Sequence, residues 1–165
     1  MIIAVDVDYR DQGASIAGVA FENWADENDS GVFKIELSEV EEYIPGEFYR
    51  RELPCILKLL EDRDIRPDII VVDGFVQLDG KSRYGLGMYL HDALNARVPV
   101  IGVAKSPFKD IGKEYEIYRG KSRTPLYVTS IGIKLEVAKN NIISMSGKYR
   151  IPDLLKKVDQ LCRKN

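Results

Sequence analysis

Two short apolar runs, Asp68 to Gly74 and Val98 to Ala104, constrain this chain most strongly. Both read as strands buried on both faces, the pattern of a central parallel sheet. Between them a glycine-bearing loop leads into a helical stretch, Tyr84 to Arg97. Strand, helix and strand in that order imply a right-handed parallel crossover. The chain before them behaves differently. Ile2 to Tyr9 alternates, with Ile3, Val5 and Val7 on one face and Ala4, Asp6 and Asp8 on the other. Further strands are expected at Ile16 to Trp24 and Val32 to Leu37, divided by the polar cluster Ala25 to Gly31. Loops this short make the three an antiparallel meander.

A loop from Glu41 to Glu52 follows, and then a helix expected to begin near Pro54, with Ile56, Leu57, Leu59 and Leu60 as its apolar face. Glu114 to Tyr118 and Thr124 to Thr129 read as two more strands, and Leu135 to Met145 and Pro152 to Arg163 as helices. No repeat or low-complexity linker interrupts the pattern, so residues 1–165 are expected to form one domain. Three antiparallel strands, then parallel strands with crossover helices, is the order of a ribonuclease H-like α/β sheet flanked by helices.

The net charge is −2 and the sequence pI about 5.6, so no global basic signature marks a nucleic-acid binder. A local basic patch can still serve phosphates. Cys55 and Cys162 have no metal-ligand spacing and no disulfide framework, which suits buried free thiols in a reducing compartment. The N-terminal run meets Asp6 almost at once and lacks a basic flank, unlike a signal peptide. No apolar run approaches a membrane span. A soluble, cytoplasmic monomer without membrane contact is expected.

Three acids stand where chemistry would want them. Asp6 lies inside an otherwise apolar strand, Glu52 just before the expected helix, and Asp73 at the end of a buried strand beside Gly74. A carboxylate in a central strand is costly unless it is paired or metal-bound. Ligands of open α/β sheets collect beyond the carboxyl ends of the strands. Oxygen donors converging there suit Mg²⁺. Each acid also has a plainer reading: Asp6 paired with a core Arg or Lys, Asp73 as a turn cap, Glu52 as an acid favoured by a helix dipole.

Taken together these segments resemble the endonuclease V family, whose members nick strands near deoxyinosine. Val5-Asp6-Val7-Asp8-Tyr9 resembles the family's first-strand motif. Tyr43-Ile44-Pro45-Gly46 followed by Arg51-Glu52-Leu53-Pro54 resembles its Tyr-Ile-Pro-Gly and Arg-Glu-x-Pro block. Val72-Asp73-Gly74 and Ile101-Gly102-Val103-Ala104-Lys105 are similar to two further blocks, in family order. The resemblance implies an endonuclease acting on DNA, with RNA as another possible substrate, in repair of deaminated purines. It implies Mg²⁺, replaceable by Mn²⁺, on Asp6, Glu52 and Asp73, with Lys105 and Glu136 as further catalytic residues. It implies a strand-separating wedge at Tyr43, Pro45 and Gly46. Other substrate contacts are expected at Gly74, Arg83, Arg119, Lys121 and Arg123.

Two departures from the family pattern stand out. Ile131 occupies the position where the resemblance expects a histidine, which predicts a slowed enzyme or a non-cutting nucleic-acid binder. The loop Gln77 to Arg83 differs from the family's basic type, which leaves branched DNA or inosine-containing RNA open as substrates. His91, the single histidine, falls mid-helix and reads as packing or surface rather than as a replacement catalyst.

Overall fold

In the computed structural model, residues 1–47 and 49–164 are described. Among these, seven strands form one mixed sheet, flanked by four α-helices. The strands are β1 (Ile2–Arg10), β2 (Gly13–Phe21), β3 (Gly31–Leu37), β4 (Ile69–Asp73), β5 (Val100–Ala104), β6 (Glu116–Ile117) and β7 (Leu126–Ile131). The helices are α1 (Tyr49–Asp62), α2 (Leu86–Ala93), α3 (Leu135–Ser144) and α4 (Asp153–Arg163). The sheet order is β3-β2-β1-β4-β5-β7-β6.

The meander β1-β2-β3 is antiparallel throughout, as the short connections require. β4 lies parallel to β1, and β5 parallel to β4. β7 departs from the expected run of parallel strands and is antiparallel to β5. β7 is the returning arm of the β6–β7 hairpin: the two-residue β6 runs in the direction of β5, and β7 doubles back between them.

The alternation of β1 divides the core into two layers. Ile3 and Val5 pack with Ile70, Val72, Ile56, Leu59 and Leu90 under α1 and α2. Ala4 packs with Val71, Ile101, Val103, Ile142, Leu154 and Val158 under α3 and α4. No helix among the described residues is long and apolar enough to cross a membrane.

Several boundaries shift for identifiable reasons. β2 ends at Phe21 rather than Trp24, because the Asp26 carboxylate accepts the Glu22 and Asn23 amides at 3.2 and 2.9 Å and turns the chain. α2 ends at Ala93, since Asn95 and Ala96 take φ of 59° and 57°, which no α-helix continues through. α1 begins at Tyr49, five residues before Pro54, so Glu52 lies in its first turn rather than ahead of it.

Gly102 fixes the spacing between the middle strands. A Cβ there would fall 2.6 Å from the Gly74 carbonyl oxygen, 2.8 Å from the Val76 amide nitrogen and 2.9 Å from Thr129 Oγ1. The last two atoms are already joined by a hydrogen bond of 2.8 Å. Gly102→Ala is therefore expected to destabilise the fold by about 1–3 kcal/mol, the range for an overpacked core. Urea unfolding of the two proteins side by side measures it, and an unchanged midpoint would show that the strands can spread.

Candidate active site

The register of β1 on β4 brings the first two acids together. Val5 pairs with Val72, so Asp6 and Asp73 follow on adjacent parallel strands at the carboxyl end of the sheet. Neighbouring strands lie about 4.8 Å apart, so the two side chains leave adjacent backbones and their charges interact. Glu52 reaches the same place from the first turn of α1, on the other layer. The Asp73 charge acts on both Asp6 and Glu52, and that of Asp6 acts on Glu52. Burial, then the Asp73 charge, pushes the Asp6 carboxyl up to about 7. Burial, then the charges of Asp6 and Asp73, pushes Glu52 up to about 8.

α4 adds a fourth carboxylate that sequence reasoning missed. Asp159 hydrogen-bonds with Asp6 and pairs with Arg163, whose Nε lies 2.9 Å from Asp159 Oδ1. Donor atoms of Asp6, Asp159 and Cys162 all lie within 4.8 Å of one another. A signal for Asp159 does exist in the sequence. It is an acid set among the apolar positions Leu154, Leu155, Val158 and Cys162 of an amphipathic helix, where a solvated face would not put one. Cys162 itself is buried and free. Burial and the nearby carboxylates push its thiol up to about 12.

Lys105, one residue past β5, places Nζ 3.5 Å from Asp73 Oδ2 and contributes to the field at Asp159. Asp73 and Lys105 are shared by two cavities. A narrow one runs under α4, lined also by Asp6, Ile151, Leu155 and Val158. The other is an open cleft of about 420 Å³ that includes Glu52, Gly74 and Gly46 in its wall. The cleft is strongly aromatic: Tyr49, Phe75, Tyr84 and Phe108 line it. Tyr49 is stacked on Tyr89 at 3.9 Å between centroids, and Phe75 meets Phe108 edge-on at 6.3 Å.

The remaining residues singled out in the sequence fall into three groups. Tyr43 and Pro45 are exposed, and Gly46 borders the cleft. The Glu47 amide donates to the Ile44 carbonyl at 2.9 Å, and Gly46 takes φ of 81°, so Pro45-Gly46 forms a tight turn of the kind only glycine completes cheaply. Arg51 Cζ lies 3.7 Å over the Tyr9 ring and 5.8 Å from the Tyr43 ring, tying the turn to β1. Arg83 stands at the cleft mouth with its guanidinium 5.3 Å from the Phe108 ring. Its loop is wound around Asp79, whose Oδ1 accepts the amides of Lys81, Ser82 and Arg83.

Lys121 and Arg123 are exposed on the β6–β7 connection, which opens beyond the carboxyl end of β5. Arg119, expected as a phosphate contact, is turned inward instead. Only 5% exposed, it donates to the carbonyls of Tyr149, Arg150, Met145 and Gly147. A guanidinium committed to interior carbonyls holds loops together rather than meeting a substrate.

Two expectations about the site are corrected. Ile131 pairs with Val100 at the start of β5, so it stands at the opposite end of the sheet from Asp73. The antiparallel direction of β7 puts it there, and a histidine at that position would not reach the carboxylates. Glu136 begins α3 at that same far end, 78% exposed and 3.8 Å from Lys139, and is no fourth site acid. His91 is buried, with Nδ1 2.8 Å from the Val98 carbonyl, as packing requires.

Carboxylates that repel one another until two of them retain protons near neutrality are what a divalent cation relieves, and hard oxygen donors suit Mg²⁺ or Mn²⁺. Among the described residues the donors that converge within 4.8 Å are those of Asp6, Asp159 and Cys162, with Asp73 on the neighbouring strand and Glu52 close enough for its charge to count.

Comparison with known proteins identifies the family. A family profile described as Endonuclease V matches residues 1–140. The Endonuclease V of Streptomyces avermitilis is 29% identical, over 99% of this chain and 79% of its own length. That of Trichormus variabilis is 32% identical, over 72% of this chain and 62% of its own length. The crystal structure of the Streptomyces avermitilis Endonuclease V superposes with a TM-score of 0.76 at 26% identity, covering 98% of this chain and 79% of that one. Ciona intestinalis Endonuclease V, in complex with a 24mer DNA containing an inosine followed by a ribo-adenosine, gives 0.80 at 18%, over 98% and 84%. That last likeness is one of fold.

The raised carboxyls make stability depend on pH in a definite direction. Between about pH 4 and pH 8 the folded, metal-free protein binds more protons than the unfolded chain, because Asp6 and Glu52 hold theirs to about 7 and about 8. Stability from these groups is then complete at the acid end and lost as pH rises through those values. The Tm of metal-free protein is expected to fall from pH 5 to pH 8.5, and less steeply for Asp6→Asn. Calorimetry in EDTA checks it; a Tm that rises over the range for wild type would contradict the assignment.

Proposed function

The chain belongs to the endonuclease V family, and we propose that it is a divalent-metal-dependent endonuclease that nicks a nucleic-acid strand beside a deaminated purine, in repair. What supports this reading is that Asp6 and Asp73 follow the paired residues Val5 and Val72 on adjacent parallel strands, while Glu52 and Asp73 line one aromatic cleft and Glu52 feels the charge of both. Fold similarity to a protein solved with inosine-containing DNA supports DNA as the substrate.

Asp6, Glu52 and Asp73 would hold the Mg²⁺ or Mn²⁺, which when bound lowers the pKa of a water and stabilises charge on the phosphate. Asp159 holds Asp6 in place through their hydrogen bond and adds negative charge on the α4 side. Lys105, already 3.5 Å from Asp73, offers its ammonium to a phosphate oxygen at the strand end. The cleft admits an extruded base edge-first between Tyr84, Phe75 and Phe108, and Gly74 leaves its wall clear beside Asp73. Tyr43, raised on the Pro45-Gly46 turn and braced by Arg51, fills the gap that the base leaves in the stack.

Nothing at Ile131 weakens this constellation, since that residue is remote from it. The reading of a non-cutting binder therefore loses its motive.

The test is nicking of labelled oligonucleotides carrying one inosine, as DNA and as RNA, with Mg²⁺ and with Mn²⁺. Wild type should nick at a position set by the inosine, and EDTA or Asp6→Asn should abolish the product. Lys105→Ala should slow the reaction by about 10²–10³-fold, as loss of a charge-stabilising donor does. Ile131→His should leave the rate unchanged. Absence of metal-dependent nicking on every substrate, or equal rates for wild type and Asp6→Asn, would overturn the proposal.

A further inference from the structure

Beside the carboxylate centre two loops lie against each other and present two tyrosines that the chemistry above does not use. Tyr118, just after β6, is 54% exposed, and Tyr149, between α3 and α4, is 71% exposed. One open ring is ordinary, but two on adjoining loops among unpaired cations make a surface suited to contact. The backbone beneath them is held firmly. Arg119 donates from Nη1 to the Tyr149 carbonyl at 2.7 Å and from Nη2 to the Met145 carbonyl at 2.5 Å, which joins the Tyr118 loop to the Tyr149 loop.

Arg150 then joins this platform to the active end of the sheet. Its Nη1 donates to the carbonyl of Lys105 at 3.0 Å and to that of Pro125 at 3.1 Å. The backbone that carries Lys105 to Asp73 is thus one hydrogen bond from the residue that follows Tyr149. Three cations surround the rings: Lys121, Arg123 and Lys148 are all exposed. None has an acidic partner within ion-pair range among the described residues, whereas Arg163, Lys157 and Lys58 do. Glu116 is the acid in contact, accepting the Tyr118 hydroxyl at 3.2 Å.

We propose that this platform is a second nucleic-acid contact surface, on which an unpaired stretch of the cut strand stacks its bases on Tyr118 and Tyr149 while Lys121, Arg123 and Lys148 take its phosphates. The inference rests on the nuclease reading above and adds where the strand runs once it leaves the carboxylates. Exposed aromatic faces interleaved with unpaired cations are what single strands bind, because every base has a stacking face and every step a phosphate. Continuity through Arg150 to Lys105 selects the cut strand as the occupant rather than a separate molecule. A duplex, its base faces already stacked, gains nothing from the rings. The inward turn of Arg119 and Arg150 is the supporting layer: both guanidinium groups are used to keep two loops rigid under the tyrosines.

The experiment measures binding by fluorescence anisotropy, using full-length protein carrying Asp6→Asn so that the strand stays intact. The probes are inosine-bearing DNA oligonucleotides with a long single-stranded flank, a truncated flank or a duplex flank. In that background Tyr118→Ala and Tyr149→Ala should each weaken binding to the long-flank probe about five-fold or more, while Tyr→Phe at either position retains it. Loss of Lys121, Arg123 or Lys148 should each reduce the salt slope of binding by about one unit or less. Truncating or pairing the flank should remove the difference between the tyrosine variants and their parent. Long-flank affinity within about two-fold of the parent for the Tyr118→Ala/Tyr149→Ala protein overturns the platform and leaves the nuclease reading standing. A parent that binds no probe overturns both.

Discussion

The repulsion between Asp6 and Asp73 is the constraint on which the rest of the site depends. Parallel pairing of β1 with β4 in the Val5–Val72 register sets the two acids on adjacent strand ends, where the Asp73 charge bears on Asp6. Glu52 is then delivered by the first turn of α1 and Asp159 by α4, so that acids arrive from both layers of the core. Such a centre stores unfavourable charge, which protonation of Asp6 and Glu52 relieves in one way and a divalent cation in another. The core layers beneath, Ile3 to Val72 on one side and Ala4 to Val158 on the other, supply the stability that this concentration of charge opposes.

Arginines do much of the positioning. Arg10 continues β1 past its acids, pairs with Asp8 at 3.2 Å, and donates to the Cys162 and Lys164 carbonyls, both at 2.9 Å. It thereby ties the end of α4 to the strand that carries Asp6, and Asp159 is kept in reach. Arg51 wedges between Tyr9 and Tyr43, Arg119 binds the loop after β6 to the loop after α3, and Arg150 binds that loop to Lys105. A planar fork with several donors can satisfy more than one orphan carbonyl at once, which a lysine cannot do in a fixed geometry. The chain carries a slightly negative net charge, yet Lys105, Lys121 and Arg123 gather positive charge at the carboxyl end of the sheet that the total conceals.

Much of this architecture was legible in the residues. Period-two alternation in Ile2 to Tyr9 gave both core faces and left Asp6 as the anomaly, and the Ile-Ile-Val-Val run located the strand that ends at Asp73. The Arg-Glu-x-Pro block pointed to Glu52, although Pro54 drew the helix start too far along. Pro54 lies inside α1, past the opening turn, where it removes the amide that would meet the Arg50 carbonyl; reading it as a first-turn proline set the start five residues late. Asp159, although it sits among the apolar positions of its helix, carries no motif, and only the docking of α4 shows that it meets Asp6.

What the sequence by itself determined is local: which segments are strands, which faces are apolar, and which acids sit in apolar company, because period and composition are properties of neighbouring residues. The tertiary structure alone decided direction and distance. The antiparallel return of β7 carried Ile131 and Glu136 to the far end of the sheet, and the docking of α4 brought Asp159 to Asp6 across more than 150 positions of sequence. Burial, likewise, turned Arg119 from a surface cation into an internal tie. Charge repulsion and hydrogen bonding act through space, so a reading along the chain can name the groups involved but cannot say which of them will meet.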